Sequence, residues 1–275
     1  MESLARRLST FVLPSGFLRQ WLPSARNAPA ILPIARFDDG RLAVTSGGMR
    51  ALDGVVGKLT RDSLRIGIAV PVDTAAVRWL GEFPGATWLG FRSPFDHKRA
   101  AVTRALHSPQ LTYATSENVL WLGDGSSATL TRFDSFGHSL PPTRVMASPR
   151  SFDFGALQRG RVRQMAQSSD DYARASVEAV FDRTVLPALT PVYSRIIGAP
   201  AGAVWVELYR ESLEQPRRYE VIDASGRSVA TVVGPPNFVL FDIGVDVVVG
   251  ALIDDDGVEM VASFGIVRDA AVRPR

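Results

Sequence analysis

Three histidines, His97, His107 and His138, are the only imidazoles in the chain, and cysteine is absent. None of the three has the spacing of a helical HExxH zinc pair, so each reads as a surface or turn residue. Without cysteine there is no disulfide, thiolate metal site or sulfur nucleophile. A Gly-x-Ser-x-Gly nucleophile elbow and a phosphate-cradling P-loop are also missing from the sequence. Asp254-Asp255-Asp256-Gly257 joins acids to a glycine as calcium loops do, but a calcium loop alternates its ligands and adds a later bidentate Glu. Consecutive aspartates between two apolar segments read instead as a hairpin turn. The one stretch that combines charge, an imidazole and an open-loop composition is Arg92-Ser93-Pro94-Phe95-Asp96-His97-Lys98-Arg99. Arg92, Asp96 and His97 are therefore the candidate ligand-binding residues, against the plainer reading of a connector. No catalytic residue, metal ligand or cofactor is expected. Trp79, Trp88, Trp121 and Trp205 would suit an aromatic binding floor, but two of them fall at a repeated strand position, which favours packing between sheets.

The background charge adds little chemistry. Net charge is +3, and Lys58 and Lys98 are the only lysines among 31 basic residues. Acidic residues are interleaved with the arginines, whereas a nucleic-acid surface gathers its cations with aromatics between them. Arg159-Gly160-Arg161-Val162-Arg163 is soon followed by Asp170, Asp171, Glu178 and Asp182, as on a solvated helix face. No nucleic-acid partner is expected. The longest apolar runs, Val229–Val233 and Val245–Leu252, are far shorter than the roughly 20 residues of a membrane-spanning helix. The start, Met1-Glu2-Ser3-Leu4-Ala5-Arg6-Arg7, shows no export signal. With 275 residues, 46% of them hydrophobic, the chain can bury a sizeable core.

The elements that must carry any site announce themselves by repetition. Gly40, Asn118, Gly202 and Asp246 each begin a turn residue plus apolar strand: Gly40-Arg41-Leu42-Ala43-Val44, Asn118-Val119-Leu120-Trp121-Leu122, Gly202-Ala203-Val204-Trp205-Val206 and Asp246-Val247-Val248-Val249-Gly250. Gly, Asn and Asp tolerate the positive φ of a tight hairpin, so the pattern predicts one β-unit copied several times. A second recurring turn, Asp134-Ser135-Phe136-Gly137 and Asp223-Ala224-Ser225-Gly226, follows the strand-like Thr129–Phe133 and Arg218–Ile222. Leu64–Val72 with Asp73-Thr74-Ala75-Ala76 reads as a weaker copy, and Leu8–Gly16 as another that lacks its first strand.

From about Gly155 to Leu186 helix formers replace this pattern, which predicts two short helices capped by Ser168 or Ser169 and ended by Pro187 and Pro191. The anchors are 78, 84 and 44 residues apart. The shortest spacing fits a four-stranded sheet, the 84 includes the helical insert, and the 78 implies a sheet plus an extended connection that includes Phe83-Pro84-Gly85 and Arg92-Ser93-Pro94-Phe95-Asp96. Radial repetition of small antiparallel sheets, an all-β β-propeller, fits best.

The carboxyl-terminal third is the most specific: Ala203-Val204-Trp205-Val206-Glu207-Leu208-Tyr209, Arg218–Asp223, Asp242–Gly250 and Asp256–Val261. It resembles the end of uncharacterised bacterial six-bladed β-propellers of the NHL-repeat and TolB-like group, a likeness that extends to about Leu111 and more loosely to Phe11. The resemblance implies a propeller of six-bladed type, here shortened to four or five blades, exported to the periplasm or lipid-anchored, with no catalytic residues to carry over. The division expected is a partial blade at 1–28, blades at 29–107 and 108–150, a helical insert at 151–190, blades at 191–236 and 237–268, and a tail at 269–275. Met1 is expected to be a misassigned start or the mark of a decayed gene, because an unclosed ring would expose two sheet edges. Two functions are carried forward. The first is a non-catalytic propeller that binds a small molecule or protein. The second is a lactonase-like, metal-dependent hydrolase, strained because Asn27, Asn118 and Asn237 are the only asparagines to supplement carboxylates as ligands.

Overall fold

The computed structural model describes residues 31–46, 56–71, 73–93, 95, 100–153, 155, 158, 160, 162, 165–166, 170–181, 187–212, 215–254 and 258–267. Its architecture is all-β and propeller-type: antiparallel sheets follow one another along the chain, each made of consecutive strands in sequence order. The first contains β1 (Ile31–Arg36), β2 (Leu42–Ser46), β3 (Leu59–Val70), β4 (Asp73–Arg92) and β5 (Ala100–Arg104). The second contains β6 (Thr112–Ser116), β7 (Val119–Gly123), β8 (Thr129–Asp134) and β9 (Ser139–Arg144). The third contains β10 (Tyr193–Gly198), β11 (Val204–Leu208), β12 (Arg217–Ile222) and β13 (Ser228–Gly234). The fourth contains β14 (Phe238–Ile243), β15 (Val247–Ile253) and β16 (Glu259–Gly265).

The four repeated anchors occupy equivalent places, in the hairpins that join the first and second strands of the four sheets. Two of them have the expected backbone, with φ of 89° at Gly40 and 71° at Gly202. In the second sheet the left-handed residue is Glu117, at φ 51°, rather than Asn118. The Asn118 side chain instead accepts the Asp39 amide of the neighbouring sheet at 3.0 Å. Asp246 is not among the positive-φ residues, and its turn is closed by the Gly244 amide donating to Val247 O at 2.7 Å. The other recurring turn behaves as its composition predicts. Asp134 Oδ1 accepts the Phe136 and His138 amides, Asp223 Oδ1 accepts the Arg227 amide, and the closing glycines Gly137 and Gly226 have φ of 83° and 90°.

Alternation along each strand sends one face of a sheet to one neighbour and the other face to the next. Phe37, Ala43, Ile66 and Ile68 of the first sheet meet Leu120, Leu122 and Phe133 of the second. Trp121, Leu130 and Ala114 of the second meet Tyr193, Ile196, Val204, Val206 and Ile222 of the third. Ile197, Trp205 and Tyr219 then meet Phe238, Leu240 and Ile243 of the fourth. Polar links cross the same interfaces. The buried Arg132 donates to Ala224 O at 2.6 Å and Ser225 O at 3.4 Å, and its guanidinium lies 4.4 Å from the Trp121 ring. Arg78 does the equivalent for the first two sheets, donating to Phe136 O at 2.8 Å. The recurring turn of one sheet is thus held by an arginine of the sheet before it. Trp121 and Trp205 are inter-sheet packing groups, as their repeated position suggests.

Several local expectations are corrected. Phe83-Pro84-Gly85 belongs to β4, which with β3 forms a long hairpin that takes up much of the 78-residue spacing. Proline is tolerated because β5 pairs with β4 only from Trp88 to Arg92, leaving that side of Pro84 without a strand neighbour among the described residues. Asp73 pairs with Val70 and starts β4, so the chain reverses before it and Asp73–Ala76 is not the turn. The helix α1 (Asp171–Val180) is capped by Asp170, whose carboxylate accepts the Ala173 amide at 2.7 Å, and not by Ser168 or Ser169. It ends at Phe181, before Pro187. Helical backbone is also present at 155, 158, 160, 162 and 165–166. Val177, Val180 and Phe181 pack on Leu89, Ala105 and Phe152, and Ser176 donates to Thr103 Oγ1 at 2.8 Å, so α1 lies against the first sheet. The segment 1–28, Asp255–Gly257, Arg159, Arg161, Arg163 and the tail 269–275 lie outside the described residues.

Candidate ligand-binding site

The first strands of the four sheets, β1, β6, β10 and β14, converge on one open cleft of about 410 Å³. Each sheet contributes charge: Arg36 and Asp38 from the first, Glu117 from the second, Arg195, midway along β10, from the third, and Asp242 from the fourth. Phe241, 52% exposed, is the aromatic side chain of the lining. The β-bulge of β14 between Leu240 and Asp242 breaks the alternation, so that Phe238, Leu240 and Ile243 share the sheet-packing face while Phe241 stays off it.

The strands are locked together by side-chain and backbone bonds to backbone groups of the neighbouring sheet. Thr115 Oγ1 donates to Arg36 O at 2.8 Å, and the Asp38 amide donates to Glu117 O at 3.2 Å. Ser116, 4% exposed, donates to Ala199 O at 2.5 Å, and Thr112 Oγ1 accepts the Ile196 amide at 3.0 Å. Arg195 donates to Leu240 O at 2.7 Å, tying β10 to β14. Gly198 permits the close approach of β10 to β6, since a Cβ there would lie 2.1 Å from Thr115 O. Glu117 holds its left-handed backbone at the rim of this cleft, a conformation that costs a non-glycine residue about 1–2 kcal/mol.

Chemically, the lining offers two guanidiniums and three carboxylates on a scaffold fixed by backbone bonding. Among the described residues, Arg36, Asp38 and Glu117 have no ion-pair partner, so their charges are turned toward solvent or a ligand. Asp242 Oδ1 accepts the adjacent Ile243 amide at 2.9 Å. No group of three His, Asp or Glu side chains is arranged to hold a metal ion among the described residues.

Of the sequence candidates Arg92, Asp96 and His97, only Arg92 is among the described residues. Arg92 ends β4 as an exposed side chain and does not line the cleft, while Asp96 and His97 lie outside the described residues. His138 is the exposed turn residue expected, with Nδ1 2.9 Å from Asp134 Oδ2. His107 does sit in a turn, at φ 55°, but its ring is turned inward. Nδ1 bonds the Tyr209 hydroxyl, the ring packs on Phe152 at 5.2 Å, and burial pulls its pKa down to about 4. Trp79 and Trp88 are absent from the cleft: Arg65 lies 4.5 Å over Trp79, and Trp88 Nε1 donates to Asp62 at 3.0 Å. The residues that sequence reasoning missed share one signal. Arg36, Asp38, Glu117, Arg195 and Asp242 are charges in the strand or turn segment that precedes a repeated anchor.

No described helix is long and apolar enough to cross a membrane. No protein-family model and no curated protein matches the chain. Among solved structures, one of streptogramin B lyase is similar at a TM-score of 0.28 and 11% identity, over 88% of this chain and 84% of that one.

Proposed function

We propose that this chain is a non-catalytic binding protein of propeller type whose small-molecule or protein-segment ligand sits in the cleft between β1, β6, β10 and β14. The observation that carries this reading is the delivery of charged side chains by all four first strands to one cavity. A recurring module that places one strand of each copy at a common centre needs no catalytic machinery to become a binding site. The chain as part of a six-bladed ring, and its export, belong to the same proposal and rest on the sequence resemblance. The alternative of a lactonase-like hydrolase requires three or more oxygen ligands converging on one ion, and although Asp38, Glu117 and Asp242 line one cleft, no three acidic or imidazole side chains among the described residues are grouped closely enough to hold a metal.

A metabolite screen by thermal shift tests the reading. A ligand present at 100 times its Kd adds about 2.7 kcal/mol to stability. The shift is expected in the native chain and is expected to vanish in the doubly substituted Arg36→Gln, Glu117→Gln chain. A ligand whose shift survives that double substitution binds elsewhere and defeats the assignment of the cleft.

A further inference from the structure

We infer that the cleft selects a small zwitterion, held with its anionic group inward on Arg195 and its cationic group outward among Glu117, Asp38 and Asp242. The inference rests on the binding reading above and adds the ligand's class and orientation. Its basis is the unequal depth of the charges along the strands. Arg195 is the third residue of β10, three residues before the strand ends at Gly198, and it is partly buried. Asp38 and Glu117 lie just beyond the ends of β1 and β6, and both are exposed. Asp242 is the penultimate residue of β14.

The cation is therefore set back along its strand while two of the acids stand at the rim. Arg195 is aimed by its bond to Leu240 O, which occupies one of its five N–H donors. The remaining face of a guanidinium in that position suits a carboxylate or another planar anion, because paired N–H groups match two oxygens at once. Two rim carboxylates, Asp38 and Glu117, with Asp242 just inside them, against one rim arginine, Arg36, leave the entrance with an excess of negative charge that favours an ammonium or guanidinium group. An anion without a cationic group would reach Arg195 only by passing those carboxylates, and a cation without an anionic group would leave the Arg195 donors not engaged by Leu240 O without a ligand acceptor. Polarity of this kind discriminates by repulsion as well as by attraction.

An equimolar set of tripeptides, used free, N-acetylated and carboxyl-amidated, separates the terms by isothermal titration against the full chain. Free tripeptides are expected to bind at least 10-fold more tightly than either blocked set. Arg195→Gln is expected to remove the preference for a free carboxylate while leaving the preference for a free amine. Glu117→Gln, at an exposed rim position that needs no refolding of the core, is expected to do the reverse. Equal binding of the three sets overturns the inference. A neutral oligosaccharide that binds the cleft when free tripeptides do not also overturns it, but leaves the binding reading standing. Failure of every probe in this set and in the metabolite screen removes both.

Discussion

Acid should destabilise this fold through His107 well before its carboxylates protonate. The ring is enclosed by Phe152 and Tyr209, its Nε2 is buried without a hydrogen-bond partner among the described residues, and burial lowers its pKa from 6.5 to about 4. The unfolded chain therefore takes up the proton first. Stability from the neutral buried ring is fully present above about pH 6.5, declines as pH falls, and is lost near pH 4, where the folded state also protonates. At about 1.4 kcal/mol per pH unit the gap of roughly 2.5 units corresponds to about 3 kcal/mol, reduced to about 2 kcal/mol by the water that reaches the ring's exposed edge. His107→Asn removes the titration while keeping a residue type that tolerates φ near 55°. Urea unfolding followed by tryptophan fluorescence at pH 7, 6, 5 and 4.5 gives the free energy for both chains. The native chain is expected to lose about 2 kcal/mol more than the variant across that range. Parallel curves for the two would refute the reasoning, because the carboxylates that also titrate are common to both.

Three further perturbations test the packing. Arg132→Met removes two bonds to the turn of the third sheet and the cation–π contact with Trp121, and should cost about 2–3 kcal/mol by chemical denaturation. Arg217→Met leaves the 4%-exposed Glu207 carboxylate without its ion-pair partner, and should cost about 3–5 kcal/mol by chemical denaturation. Gly198→Ala places a methyl group against Thr115 O and should cost about 1–3 kcal/mol, whereas Gly265→Ala, which meets nothing within 4 Å, should fall within about 0.5 kcal/mol of the native chain.

The repeat was legible because its information is local. Gly40 and Gly202 mark tight turns by backbone freedom alone, and Asp134 and Asp223 mark theirs by bonds to amides two to four residues on. The β3–β4 hairpin was obscured by Phe83-Pro84-Gly85, which reads as a loop until β5 is seen to stop short of it. The cap of α1 was misplaced by one or two residues because Ser168, Ser169 and Asp170 are all suitable side chains, and only the geometry at Ala173 chooses among them. The site was hidden for a different reason. Arg36, Glu117, Arg195 and Asp242 belong to four different sheets and have no mutual spacing in sequence, so only the convergence of the first strands brings them together. Arg92, Asp96 and His97 drew notice because their chemistry is contiguous in sequence, and of these Arg92 does not line the cleft while Asp96 and His97 lie outside the described residues.

The convergence itself is open to a direct measurement. The chain has no cysteine, so Glu117→Cys accepts a single nitroxide label at the rim, and paramagnetic broadening of amide signals then reports what lies near it. Signals from 36–38, 195–201 and 241–242 are expected to broaden together, and more strongly than those of the outermost strands β5 and β13. If residues 241–242 keep their intensity as fully as β13 does, the four first strands do not share one cleft, and the binding site built on them falls.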